Sequence, residues 1–287
     1  MIKTILVAVT GSDGDAQAFA AALAVARPFA AHLDVLHIRP DAASVAVAMA
    51  SDVGSGALTA GLIERLEQDA REREATAQRN FDRWCAEAGL ALAGAPSRGA
   101  RAAPSAEWHA ESGEEPPWIA RYGVVADLIV TARPADAEAL GRAAIEAALL
   151  QTGRPLLIPA PARPMKLDRV AIAWKPTAPA ARAVALAMPL LARAKQVTVL
   201  AVAEAVEWDD AADRLVRSLA WHGIAARIER LAPGPEGAAA TLLTAAGAQA
   251  DLLVMGGYGH SRVREWVFGG FTQIALSDAP LPVLIAH

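Results

Sequence analysis

The chain has 287 residues, 54% of them hydrophobic and 20% charged, with a net charge of −4 at pH 7. That length and apolar content bury a core and exclude a disordered chain, and they are enough for two domains of ordinary size. Acids and bases are interspersed without a basic stripe, no apolar run approaches the roughly 20 residues of a membrane span, and Cys85 is alone. Nucleic-acid binding, membrane insertion, a disulfide framework and a cysteine metal cluster are therefore set aside, and a soluble cytoplasmic protein is expected.

Ile2–Val9 is apolar and β-branched and ends at Thr10-Gly11-Ser12-Asp13, a strand running into a turn rich in capping residues. Ala16–Phe29 has helical composition, and Leu33–Ile38 reads as a second strand. Strand, helix and strand in that order form a βαβ unit with parallel strands and a right-handed crossover. Residues 40–60 are small and glycine-bearing and read as a mobile loop; Gly54-Ser55-Gly56 within it follows no strand and is not read as a nucleotide loop. From Gly61 to Ala88 one long helix is expected, because Leu62, Leu66, Ala70, Ala77, Phe81, Trp84 and Ala88 form a single apolar stripe. Residues 89–104 read as an irregular connection, Ala106–Glu111 as a short strand and Pro116–Tyr122 as a helix start. Asp127–Ala132 is a buried strand, Ala135–Gln151 is helical, Pro155–Pro159 closes this half, and Ala160–Lys166 is a linker with two prolines.

The pattern then repeats. Arg169–Thr177 lines up with Thr4–Ser12, Val197–Val202 with Leu33–Ile38, Asp251–Gly256 with Asp127–Ala132, and Pro282–Ala286 with Pro155–Pro159. The elements keep their order, and the excess length of the first half falls between its second and fourth strands. A tandem duplication of one α/β domain follows, at 1–160 and 167–287, with an insertion within 41–105.

In the second half, the strand Leu252–Met255 breaks into Gly256-Gly257-Tyr258-Gly259, nine residues His260–Phe268 follow, and Gly269-Gly270 opens a helical segment. Glycines between a strand and a helix let main-chain N–H groups turn toward an anion such as phosphate.

On these residues each half resembles a universal stress protein domain, and the whole chain resembles the tandem members of that family. The family's motif is G-x-x-G, nine residues, then glycine followed by Ser or Thr. Gly256, Gly259 and Gly269 match it, and the ending ALSDAPLPVLIAH matches the family's last helix and strand. The resemblance implies a doubly wound, five-stranded parallel sheet in each half, adenine-nucleotide α-hydrolase-like, with strand order 3-2-1-4-5. It implies a nucleotide site where that order reverses. ATP or another adenine nucleotide, with Mg²⁺ if bound, would meet the main chain of Gly256, Gly257 and Gly259, His260 at the border of the glycine loop, and Gly269. The amides of Gly270, Phe271 and Thr272 would lie at a helix start, and the backbone of Val202 and Ala203 would read the adenine edge. Two residues depart from the pattern: Gly270 replaces the Ser or Thr, with Thr272 a substitute hydroxyl, and Lys175 stands where ATP-binding members carry an acid. Lys175 would meet a phosphate directly.

The first half has no glycine pair at Thr131-Ala132-Arg133-Pro134, and is expected to be a structural partner, with Asp13 near the displaced acid's place. The last strands, Leu156–Pro159 and Val283–Ala286, would pack the halves as a pseudo-dimer, and a further homodimer is open. There is no Walker-type loop, no G-x-S-x-G and no residue pair suited to hydrolysis, so no catalytic residue is assigned. The six histidines (32, 37, 109, 222, 260 and 287) are scattered with no H-x-x-x-H pair, so no metal site is expected. The resulting expectation is a stress-type regulatory protein binding an adenine nucleotide in its second half. Two alternatives stand beside it: a ligand-free interaction scaffold of the same fold, and an α-hydrolase-like enzyme, against which Lys175 argues.

Overall fold

The computed structural model describes residues 1–43, 45–46, 60–96, 102–133, 139–160, 165–202, 210–257 and 270–287. The expected loop over 40–60 lies almost wholly outside the described residues.

The first half runs β1 (Thr4–Val9), α1 (Asp15–Phe29), β2 (His32–Arg39), α2 (Ala60–Ala88), β3 (Ala91–Leu92), β4 (Ser105–Ser112), α3 (Glu115–Gly123), β5 (Leu128–Thr131), α4 (Ala139–Gln151) and β6 (Leu156–Ile158). The second runs β7 (Arg169–Ala173), α5 (Ala178–Leu191), β8 (Gln196–Val202), α6 (Ala211–Trp221), β9 (Ala226–Leu231), α7 (Gly237–Gln249), β10 (Leu252–Gly256), α8 (Gly270–Asp278) and β11 (Val283–Ala286).

The strands form one sheet in the order β3-β4-β2-β1-β5-β6-β11-β10-β7-β8-β9. Within each half the pairing is parallel, and the longer strands follow the order 3-2-1-4-5. The halves meet where β6 pairs antiparallel with β11, Leu157 opposite Leu284. Both strands are fully buried, so neither leaves a bare apolar edge. One expectation needs correction. The first half carries an extra strand, β3, which pairs with β4 at the sheet's outer edge, where residues 89–104 read as irregular. Only Ala91 and Leu92 belong to it and both are exposed, so no alternation of burial marked it.

Alternation along the strands divides the core into two layers. Ile5, Val7 and Val9 of β1 join Leu252 and Val254 of β10 on the face covered by α1, α2, α5 and α6. Leu6, Ala8, Leu253 and Met255 face the other way, under α3, α4, α7 and α8. The stripe on α2 is core as its spacing predicts: Ala70, Ala77 and Phe81 are buried, with Cys85 beside them, and Trp84 stacks on Phe19 at 4.5 Å. At 29 residues α2 far exceeds its counterpart α6, at 11, which places much of the insertion in this helix.

An aspartate before the fourth long strand of each half reaches back to the first. Asp127 accepts the N–H groups of Lys3 (2.6 Å) and Thr4 (3.1 Å). Asp251 accepts the N–H of Arg169 (3.0 Å) and its guanidinium Nη2 (2.8 Å). These charge-assisted bonds pin the two central strands together at their amino ends, opposite the carboxyl edge where both halves place their loops.

Candidate functional site

In the second half β7 and β10 are neighbours, and β8 and β11 flank them. The strand order reverses between β7 and β10, so a crevice is expected at their carboxyl ends. Four predicted features gather at this edge. Gly256 ends β10 with Gly257 after it, Lys175 lies in the exposed turn between β7 and α5, Val202 ends β8, and Gly270, Phe271 and Thr272 begin α8. Gly259, His260, Gly269 and Ala203 lie outside the described residues, as does Trp266.

The two described glycines have distinct local causes. A Cβ on Gly256 would sit 2.4 Å from the Ala180 nitrogen and 2.6 Å from the Pro179 carbonyl carbon, both main-chain atoms of the first turn of α5. The strand end and the helix start approach too closely for any side chain. At Gly257 a Cβ would fall 2.9 Å from Ile285 Cγ2 and 3.9 Å from Thr272 Cγ2, and the Gly257 N–H donates to the Ala286 carbonyl at 2.8 Å. That amide is committed to the sheet, so what Gly257 contributes is room beside α8.

Two helix starts converge here. Thr177 caps α5, its Oγ1 accepting from the Ala180 N–H at 3.4 Å. Thr272 is buried in the first turn of α8, while Phe271 packs against the core on that face. Helix N-termini carry partial positive charge, and with the exposed Lys175 they make this edge suited to an anion.

The first half uses the same edge differently. The turn after β1 holds Gly11 at φ +80°, and the Asp15 carboxylate, 1% exposed, accepts the N–H groups of Thr10 (3.0 Å) and Gly11 (2.8 Å). The chain thus supplies its own anion to this loop. Burial raises the Asp15 pKa above its ordinary value, and the two backbone hydrogen bonds oppose that rise. The inserted helix then closes over the turn. A Cβ on Gly11 would lie 2.5 Å from the Arg73 carbonyl oxygen of α2, and Arg39, ending β2, pairs with Glu74 at 3.1 Å. Asp13, expected near an acid's place, lies exposed in the turn, and Asp15 is the carboxylate turned inward. The signal available in the sequence was only an acid at the first position of a helix.

Glycine is also exchanged between partners. In the second half it stands on the strand, Gly256, against Pro179-Ala180. In the first, Ala132 follows the strand and glycine is on the helix side, where a Cβ on Gly14 would fall 2.9 Å from Ala132 Cβ.

Beneath this closed loop His37 is buried, its Nδ1 3.1 Å from the Val9 carbonyl oxygen and its ring stacked near Trp108. Burial holds its pKa below the ordinary 6.5, against the pull of Glu74 and Asp15. The sign follows. Below 6.5 the unfolded chain takes up a proton that the folded chain refuses, so stability present above that pH is lost as pH falls toward the depressed folded value, by up to about 1.4 kcal/mol per pH unit. Replacing His37 with Phe is expected to flatten the fall in melting temperature between pH 7 and pH 5. An unchanged slope would assign the acid sensitivity to other groups.

The universal stress protein family matches residues 1–145 and 166–287. Among solved structures, a universal stress protein from Archaeoglobus fulgidus DSM 4304 superposes with TM-score 0.68 at 15% identity, covering 99% of this chain and 95% of that one. A putative universal stress protein from Pseudomonas aeruginosa UCBPP-PA14 superposes with TM-score 0.53 at 16% identity, covering 99% and 93%. At such identities the likeness speaks for the fold. No curated protein matches the sequence.

Proposed function

The chain belongs to the universal stress protein family as two tandem domains, and from that premise we propose that it is a stress-type regulatory protein whose second half binds ATP or a related adenine nucleotide. One observation carries the reading: at the reversal between β7 and β10, two helix starts, a two-glycine strand end and an exposed lysine share one edge. The phosphates would lie against that edge, with Lys175 as a point charge and Mg²⁺ accompanying the nucleotide if it is bound as ATP. The backbone at Val202 would face the base. No described residue pair is assigned to hydrolysis, so the bound state rather than turnover is the signal.

The first half would serve as a partner rather than a second receptor, since Asp15 and α2 fill the equivalent edge. The antiparallel pairing of β6 and β11 supports the reading that the halves act as an intramolecular pseudo-dimer. Among the described residues no helix is long and apolar enough to cross a membrane.

The test begins with nucleotide released from denatured protein and with calorimetric titration of the emptied chain by ATP. One equivalent per chain is expected. Removing the charge with Lys175→Ala is expected to weaken binding about 10-fold, roughly 1.4 kcal/mol, without lowering the melting temperature. Absence of both released nucleotide and titration heat would favour the ligand-free scaffold.

A further inference from the structure

The carboxyl edge is not the whole of the chemistry on the first half. On the sheet face opposite α1 and α2, four side chains from two parallel strands converge. β2 supplies His32 and Asp34, and β4 supplies Glu107 and His109, with Asp34 directly opposite Glu107 in the register. Residues two apart on a strand share a face, so H-x-D on one strand meets E-x-H on the next. His32 Nε2 lies 3.4 Å from Asp34 Oδ1 and 3.9 Å from Glu107 Oε2. His109 Nε2 lies 3.1 Å and 3.9 Å from the same two oxygens. Both imidazoles therefore address one pair of carboxylate oxygens; the ligand atoms of His32, Asp34 and Glu107 all fall within 4.8 Å of one another, and His109 meets that set through its contacts with the two carboxylates.

We propose that His32, Asp34 and Glu107 form a binding site for a divalent transition cation of the zinc class, which His109 completes by a small rotation of its side chain toward the ion. A cation held at about 2.0–2.2 Å by nitrogen and oxygen ligands separates neighbouring ligand atoms by roughly 3.0–3.6 Å. Two of the contacts already fall in that range, and the two at 3.9 Å both involve Glu107, the long side chain able to close the gap. Two imidazoles with two carboxylates suit zinc and its neighbours rather than calcium or magnesium. The rings are also braced. His32 Nδ1 is 2.8 Å from the hydroxyl of buried Ser105, a partner that directs Nε2 toward the carboxylates. The His109 ring packs at 5.2 Å on Tyr122, whose hydroxyl donates to Glu111 Oε1 at 2.7 Å. Side-chain exposures of 18–33% leave the cluster reachable by a hydrated ion.

The duplication provides an internal control. By register, the same positions in the second half are Gln196, Thr198, Arg227 and Glu229. There Arg227 donates through Nε to Thr198 Oγ1 at 3.0 Å and through Nη2 to Gln249 Oε1 at 2.7 Å, and Gln249 Nε2 donates to Glu229 at 2.7 Å. The second half places a guanidinium where the first places a carboxylate flanked by imidazoles. The ion would clamp β2 to β4 and thereby hold the strand that precedes the inserted helix. This site is independent of the nucleotide reading.

The experiment uses the full chain, free of any affinity tag and stripped with chelator. Titration with Zn²⁺ by calorimetry, and with Co²⁺ by visible absorption, is expected to show one tight equivalent, with Zn²⁺ raising the melting temperature. His32→Gln and Asp34→Asn are each expected to weaken binding about 10-fold or more and to cancel the thermal shift. His222→Gln, in the other half, should leave both unchanged. Apo variants melting with the apo parent separate loss of a ligand from loss of fold; should Asp34→Asn unfold, His109→Gln takes its place. No saturable equivalent, or one that His32→Gln and His109→Gln both leave intact, would overturn the proposal.

Discussion

Replacing Gly256 with alanine is expected to destabilise the protein by about 3 kcal/mol, a fall in melting temperature of roughly 6–10 °C. The reason is contact with main chain, which has no rotamer by which to yield. A Cβ at this position meets the Ala180 nitrogen at 2.4 Å, the Pro179 carbonyl carbon at 2.6 Å and Ala180 Cα at 2.8 Å. Either α5 shifts away from the sheet or β10 loses its register with β7, where Met255 pairs with Ala173. Both responses disturb a layer in which Ala183, Val184 and Ala187 are buried against Val170 and Ile172. A G256A protein that melts with the parent would show that the strand end and helix start tolerate separation. This result also guards the test of nucleotide binding. Substitution at Gly256 removes fold and site together, so loss of ligand there identifies nothing, whereas Lys175 is exposed and can be truncated without touching the core.

Gly11→Ala is expected to cost about 2–4 kcal/mol and to be felt in a different element, the inserted helix. Two penalties combine. A residue with a Cβ at φ +80° is strained by about 1–2 kcal/mol, and the Cβ would fall 2.5 Å from the Arg73 carbonyl oxygen. The helix should lift from the turn, weakening the Arg39–Glu74 pair, and hydrogen exchange around Arg73 should quicken more than exchange in α5. Gly61, also on α2, meets nothing within 4 Å, so Gly61→Ala should be neutral or slightly stabilising. Equal protection of α2 in the parent and G11A proteins would mean that the helix is not seated on this turn.

The two glycines show why reading from the chain alone went far at one end and stopped at the other. Gly256 follows an apolar strand and fits a spaced motif, and both point to a phosphate loop. Its tight contact is with Pro179 and Ala180, some seventy-five positions earlier in the chain. Gly11 looked like an ordinary turn glycine after β1. That the carbonyl of Arg73 lies over it, and that Asp15 rather than Asp13 fills the loop amides, depends on how α2 crosses the sheet. The histidines are a sharper case. His32 and His109 are far apart in the chain and fit no linear metal spacing, yet parallel pairing of β2 with β4 brings both to the same two carboxylate oxygens.

What consecutive residues encode was legible without coordinates. The duplicated order of strands and helices, the apolar stripe of α2 and the unequal glycines of the two halves all rest on alternation, helical periodicity and capping, which act over a few neighbours. The folded arrangement alone established which loop is already filled by its own carboxylate, which glycine is required by a crossing helix, and which polar side chains share a face of adjoining strands. Those outcomes follow from register and crossing geometry between distant segments. No local run of residues specifies them, because the contact exists only once the sheet has formed.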